Sequence, residues 1–149
     1  MSTTPSEKLV SALRREKILS VKNSCNTKTC GGCYILLDDK VIASCHIPVG
    51  LVKNSKIITL EHFSKTEFYS DIIKGFDKAG ISLCGYCNAG KVFLAYEIIK
   101  NISQPTREII SNYINHLNDC CVEKDTLVNG ILYAYTIHHE KDKTRRNDK

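Results

Sequence analysis

Eight cysteines stand at positions 25, 30, 33 and 45 and then at 84, 87, 120 and 121 of a 149-residue chain, as two sets of four. Thiolates are soft metal donors and also the nucleophiles of disulfide exchange, so this grouping points to two four-cysteine metal sites or to redox chemistry. Cysteine is about one residue in twenty, below the roughly 8–10% that marks a disulfide scaffold. Cys25, Cys30, Cys33 and Cys45 follow the C-x4-C-x2-C pattern with a distant fourth cysteine, which is the ligand spacing of one type of 2Fe-2S cluster. Gly31 and Gly32 suit a tightly wound loop whose N–H groups turn toward cluster sulfurs without a side-chain clash.

The second set is Cys84-Gly85-Tyr86-Cys87 followed by Cys120-Cys121, and three chemistries compete for it. A thiol–disulfide site needs a strand before its C-x2-C motif, and Lys78 to Leu83 is a poor strand. Zinc fits two C-x2-C knuckles, but those at 30–33 and 84–87 are too far apart for a ribbon. A second iron–sulfur cluster is the reading we favour. The stretch Gly85 to Lys91 also matches G-x4-G-K, but a phosphate loop needs Ser or Thr at the next position, where Val92 stands, and a preceding strand. Histidines 46, 62, 116, 138 and 139 form no metal spacing apart from the tail pair, and each is expected to be exposed or hydrogen-bonded. No nucleophilic triad or carboxylate pair stands out.

The elements that must position these cysteines are legible in outline. Hydrophobic residues are 42% and charged residues 25% of the chain, as in an ordinary globular protein. No stretch is apolar enough to span a membrane, and residues 1–24 lack the apolar core of a secretory signal, so cytoplasm is the expected location. Twenty-one Lys and Arg oppose sixteen Asp and Glu, and the excess of +5 lies at the two ends, in residues 1–24 and 138–149. Nucleic-acid binding, which needs a basic stripe across the fold, is not expected.

Thr4-Pro5-Ser6-Glu7 reads as a capping box that starts a helix running to about Lys17, with Leu9, Val10 and Leu13 on one face. A cysteine-rich loop should follow from Ser20 to Gly32. Tyr34–Leu37 and Lys40–Ser44 read as a hairpin around Asp38-Asp39, although no glycine marks the turn, and Lys56 to Leu60 is a third strand candidate. From Glu67 the apolar period lengthens to that of a helix, ending at Gly80. Three more amphipathic segments follow at 90–100, from Thr106 to Leu117 and from Thr126 to His138, which predicts a helical bundle. Beyond His139 a disordered charged tail is expected.

Leu13-Arg14-Arg15-Glu16, the C-x4-C-G-G-C motif at 25–33, Leu37-Asp38-Asp39, Ser44-Cys45, C-G-Y-C-x-x-G at 84–90, Pro105-Thr106 and Cys120-Cys121 together resemble one family. It is the iron–sulfur (2Fe-2S) small subunit of molybdenum hydroxylases, as in xanthine dehydrogenase and carbon monoxide dehydrogenase. The resemblance covers about residues 8–135. It implies an α+β protein: a ferredoxin-like (β-grasp) domain at 1–62, a four-helix bundle at 63–138, and a tail at 139–149. Two 2Fe-2S clusters are implied, one on Cys25, Cys30, Cys33 and Cys45 and one on Cys84, Cys87, Cys120 and Cys121. The chain would relay electrons from a molybdopterin-binding large subunit to an FAD-binding medium subunit, most closely as in xanthine dehydrogenase, with no turnover of its own. A zinc-stabilised or thiol-redox binding protein that has lost its clusters is the alternative.

Three departures from the family pattern accompany it. The chain starts almost at the first helix, where members usually begin with a strand pair, so a sheet lacking that pair is expected. Leu83 stands where a Gln usually precedes C-G-x-C. The family's final C-R-C corresponds to Asp119-Cys120-Cys121, which makes Asp119 the alternative to Cys120 as a ligand.

Overall fold

The computed structural model describes residues 6–18, 21, 33–82, 88–115 and 123–147, apart from the side chains of residues 88 and 142–147. Strands β1 (Tyr34–Leu37) and β2 (Lys40–Ala43) form the expected hairpin, with Tyr34 opposite Ala43 and Leu37 opposite Lys40. The short strand β3 (Ile57–Ile58) pairs antiparallel with the other edge of β1, giving the order β2-β1-β3. Asp38 and Asp39 have φ of 49° and 71°, the left-handed pair that a two-residue type I′ turn requires. Short polar side chains tolerate that region, and here they are also tied down from outside. Asp38 exchanges bonds with the backbone of Lys56, whose N–H donates to its carboxylate at 2.9 Å. Asp39 accepts from Tyr96 at 2.5 Å and pairs with Lys100. Side-chain partners thus replace the missing glycine.

The first helix, α1, spans Leu9–Arg15 with Lys8 as its N-cap, which corrects the start predicted at Thr4. Thr4 and Pro5 lie outside the described residues, and Ser6 to Lys8 are not helical. The reason is a competing pairing. Lys8 bridges Pro48, Leu9 N–H donates to the Ile47 carbonyl at 2.7 Å and Val49 N–H to that of Glu7 at 2.8 Å. The Glu7 carboxylate, expected to close a capping box, instead takes Arg15 at 2.6 and 3.0 Å. Only Lys56 to Leu60's central pair became strand, because Leu60–Phe63 forms a one-turn helix, α2.

Helix α3 (Glu67–Lys78) begins at Thr66, whose hydroxyl accepts from Tyr69 N–H at 3.2 Å. It ends at Gly80, where φ is 77° and the bonds Gly80 N to Asp77 O and Ile81 N to Phe76 O complete a Schellman motif. Thr106 caps α5 (Arg107–Ile114) in the same way as Thr66 caps α3. Helix α4 (Asn88–Asn101) departs from the amphipathic expectation, since Ala89 to Ala95 are buried without a break and Ile98 and Ile99 follow. A helix apolar all round belongs inside, and α4 packs on α3, α5, β1, β2 and α6 (Lys124–Asn147).

Helix α6 lies along α3, with Gly75 so close that an added Cβ would fall 2.3 Å from the Ala134 nitrogen. It continues past His138 to Asn147, where a disordered tail was expected to begin. Bonds from His138 and Lys141 to Asp71 of α3 carry the helix beyond that point. One apolar cluster runs from Leu9 and Ile35 through Phe93 to Ile110 and Ile131, so hairpin and helices share a core. Among the described residues no helix is long and apolar enough to cross a membrane.

Candidate metal centre

Cys33 immediately precedes β1, and Cys45 lies in the 3-10 turn Ser44–His46 that immediately follows β2. The register that sets Tyr34 opposite Ala43 therefore brings Cys33 opposite Ser44 and Cys45 one residue beyond. Both backbone and side chain close this end of the hairpin. Ser44 N–H donates to the Cys33 carbonyl at 3.2 Å, and the Ser44 hydroxyl donates to the same oxygen at 2.6 Å. Cys33 and Cys45 are 1% and 2% exposed.

The chain that precedes the remaining cysteines of the first set is tied down at the end of α1 and at Val21. Helix α1 stops in a second Schellman arrangement, with Lys17 N–H bonded to Arg14 O and Ile18 N–H to Leu13 O, each at 3.0 Å. Arg14 then donates from its guanidinium to the carbonyl of the buried Val21 at 2.6 Å. Cys25 and Cys30 come after Val21 in the sequence and lie outside the described residues, as do Gly31 and Gly32.

Leu83, Cys84, Cys87, Asp119, Cys120 and Cys121 also lie outside the described residues. Their segments join Ser82 to α4 and α5 to α6. Lys91, the lysine of the set-aside phosphate-loop match, is a buried residue within α4. Among the described residues no three His, Cys, Asp or Glu side chains gather at one point.

Two clefts flank the Cys45 turn. One, of about 270 Å³, is lined by Cys45 itself with Ser6, Lys8, His46, Ile47 and Pro48, so a thiol with almost no exposed surface still adjoins the outside. The other, of about 370 Å³, lies between the hairpin, α4 and α5 and contains Glu97 and Tyr113. Burial pushes the Glu97 carboxyl above its ordinary value, against the bond it accepts from the Tyr113 hydroxyl at 3.4 Å. Burial, reinforced by Glu97, pushes the Tyr113 hydroxyl up as well.

Sequence reasoning named Cys33 and Cys45 but gave Ser44 and Arg14 no role. Ser44-Cys45 and Leu13-Arg14-Arg15-Glu16 entered only as marks of the family resemblance, because what Ser44 bonds to depends on the cross-strand register. His138, expected to be exposed or hydrogen-bonded, is bonded to Asp71.

A small antiparallel sheet with two buried cysteines at its open end, packed on a layer of helices, defines an α+β protein suited to a soft metal centre. Residues 59–132 match the 2Fe-2S binding domain family. Over 110 residues the chain is 31% identical to the nicotinate dehydrogenase small FeS subunit of Eubacterium barkeri, covering 73% of this chain and 70% of that one. It is 32% identical over 92 residues to the xanthine dehydrogenase iron-sulfur-binding subunit of Escherichia coli O157:H7, covering 62% of this chain and 58% of that subunit. Among solved structures, the aldehyde oxidoreductase of Desulfovibrio desulfuricans superposes with a TM-score of 0.81 at 27% identity, over 94% of this chain but 16% of that one. The chain belongs to the family of 2Fe-2S small subunits of molybdenum hydroxylases.

The described part of the first donor set fits a cluster. Iron–sulfur centres take thiolate ligands, and the hairpin register brings the buried Cys33 and Cys45 to the same end of the sheet.

Proposed function

We propose that this chain is the electron-transfer subunit of a molybdenum hydroxylase. Cys25, Cys30, Cys33 and Cys45 hold one 2Fe-2S cluster, and Cys84, Cys87, Cys120 and Cys121 hold a second, with Asp119 as the alternative to Cys120. The division falls near residue 62, between a ferredoxin-like unit and a four-helix bundle made of α3 to α6. When bound, each cluster supplies a one-electron carrier. The protein holds it away from water and contributes no substrate chemistry, so the chain alone does not turn over.

The observation that carries this reading is the paired burial of Cys33 and Cys45 at the end of the hairpin, in a chain of this family. The partners are a molybdopterin-binding large subunit and an FAD-binding medium subunit, in the cytoplasm, and the parent activity is xanthine dehydrogenase-like. The aldehyde oxidoreductase, in which a similar fold occupies 16% of one longer chain, supports the idea that such a unit works beside further domains.

The test is co-expression with the molybdopterin-binding subunit, followed by anaerobic addition of xanthine or nicotinate while visible absorption is followed. Formation of a complex whose iron–sulfur absorption bleaches with xanthine is expected. Bleaching with nicotinate alone would overturn the xanthine-like specificity and keep the relay. Failure to associate with any molybdopterin-binding subunit would overturn the relay.

A further inference from the structure

We infer that Ser44 is a positioning residue for the first iron–sulfur site, holding Cys33 and Cys45 in their mutual arrangement through its hydroxyl. The inference rests on the reading of those two cysteines as ligands. Ser44 has no exposed surface and lies in the chain between the core residues Ala43 and Cys45. A buried hydroxyl is costly unless it is bonded, and this one donates at 2.6 Å to the carbonyl of Cys33.

The geometry explains why a second donor is needed there. In a continuing antiparallel ladder, Cys33 and Ser44 would be held by further pairs beyond them. The ladder instead stops at Ala43, and the chain winds into the 3-10 turn Ser44–His46. The Ser44 N–H to Cys33 carbonyl bond is stretched to 3.2 Å at this point. The hydroxyl reinforces it, so both lone pairs of one carbonyl are taken by one residue. Because Ser44 is covalently joined to Cys45, fixing it against Cys33 fixes the two ligands against one another.

An electrostatic consequence follows. A centre with four thiolates is net negative and becomes more so on reduction. Two donors draw charge from the Cys33 carbonyl oxygen, and losing the hydroxyl returns negative charge to a ligand residue. The reduced state is then disfavoured, so the potential of this cluster falls.

The experiment compares the full-length holo protein with Ser44→Ala and Ser44→Thr, the second of which keeps the hydroxyl. Redox titration followed by paramagnetic resonance gives the potential of each cluster signal, and transfer of iron to a chelator gives its lability. In Ser44→Ala the first signal should shift to a more negative potential, and its iron should leave about fivefold to tenfold faster, the factor carried by one buried hydrogen bond. Ser44→Thr should restore both, and the second cluster should stay put, which general loosening of the chain would not allow. An Ala variant with the wild-type potential and release rate would overturn the role. If the Ala variant fails to load iron, a Thr variant that loads with a near wild-type potential supports the hydroxyl, and one that fails alike overturns it. A wild-type chain without iron would defeat the ligand reading itself.

Discussion

Asp71 of α3 and His138 of α6 meet at 3.0 Å, with the carboxylate side chain 2% exposed. Lys141, one turn further along α6, donates to the other carboxylate oxygen at 2.5 Å and also lies 3.7 Å from Glu67. His138 stacks on Phe68, with ring centroids 4.1 Å apart, so the polar clasp has an apolar lid. Burial alone would raise the Asp71 carboxyl, but the bonds from Lys141 and His138 outweigh it and hold it below the ordinary carboxylate value. The same carboxylate holds the Lys141 ammonium above its ordinary value.

Replacing this carboxylate gives the first prediction. Asp71→Asn should lose on the order of 1–2 kcal/mol at neutral pH, the range of a bond to a charged group after allowance for the exposure of Lys141. The folded value of Asp71 lies below its unfolded one. Its contribution is therefore complete above about pH 4 and is lost as pH falls toward and through the lowered value. Urea denaturation of both proteins at pH 7 and pH 3 should show the difference shrinking in acid. Equal differences at both values would exclude an ionic clasp.

The two glycines at the α3–α6 contact should respond differently to the same added methyl. At Gly75 it would meet backbone, with the Ala134 nitrogen at 2.3 Å and Cα at 2.5 Å, so the helices must separate. At Gly130 it would meet side-chain atoms, Ile81 Cδ1 at 2.6 Å and a ring carbon of Phe76 at 2.8 Å, which can shift without parting the helix backbones. Gly75→Ala should therefore cost about 2–3 kcal/mol. Gly130→Ala should cost about 1 kcal/mol, because the better helix propensity of alanine offsets part of the clash. Thermal melts followed by circular dichroism would rank them, and the reverse order would contradict this packing.

The same contrast between local and long-range information explains what could be read from the sequence. Tyr34–Leu37 and Lys40–Ser44 showed as strand-like runs because apolar and β-branched composition is local, though Ser44 itself turns out of the strand, and Thr106 and Gly80 announced helix ends by chemistry within a few residues. The start of α1 was misplaced because Glu7 and Lys8 are claimed by Ile47 to Val49, far along the chain. The extension of α6 was hidden for the same reason, since His138 and Lys141 gain their helix only by meeting Asp71. At the candidate metal centre the cysteines carry a spacing that is local and so visible in the sequence. The bond made by Ser44 is not, because its partner is defined by register.

Lys17 supplies a prediction about the helix that precedes the first cysteines in the chain. Its φ of 66° places a lysine at the left-handed position that ends α1, where a Schellman motif favours glycine. Lys17→Gly removes a strain of about 1–2 kcal/mol and adds chain entropy to the unfolded state. A net gain of about 0.5–1 kcal/mol in stability should result, with cluster content unchanged. Loss of stability on chemical denaturation would contradict the left-handed end.

The most direct measurement is the iron content and low-temperature paramagnetic resonance of the anaerobically purified protein, wild type beside Cys45→Ala. Two clusters require about four irons per chain, brown colour and two distinct signals on reduction. Cys45→Ala should lose one signal and about half the iron while the other signal remains. A colourless protein carrying stoichiometric zinc, with Cys45→Ala indistinguishable from it, would contradict the iron–sulfur assignment.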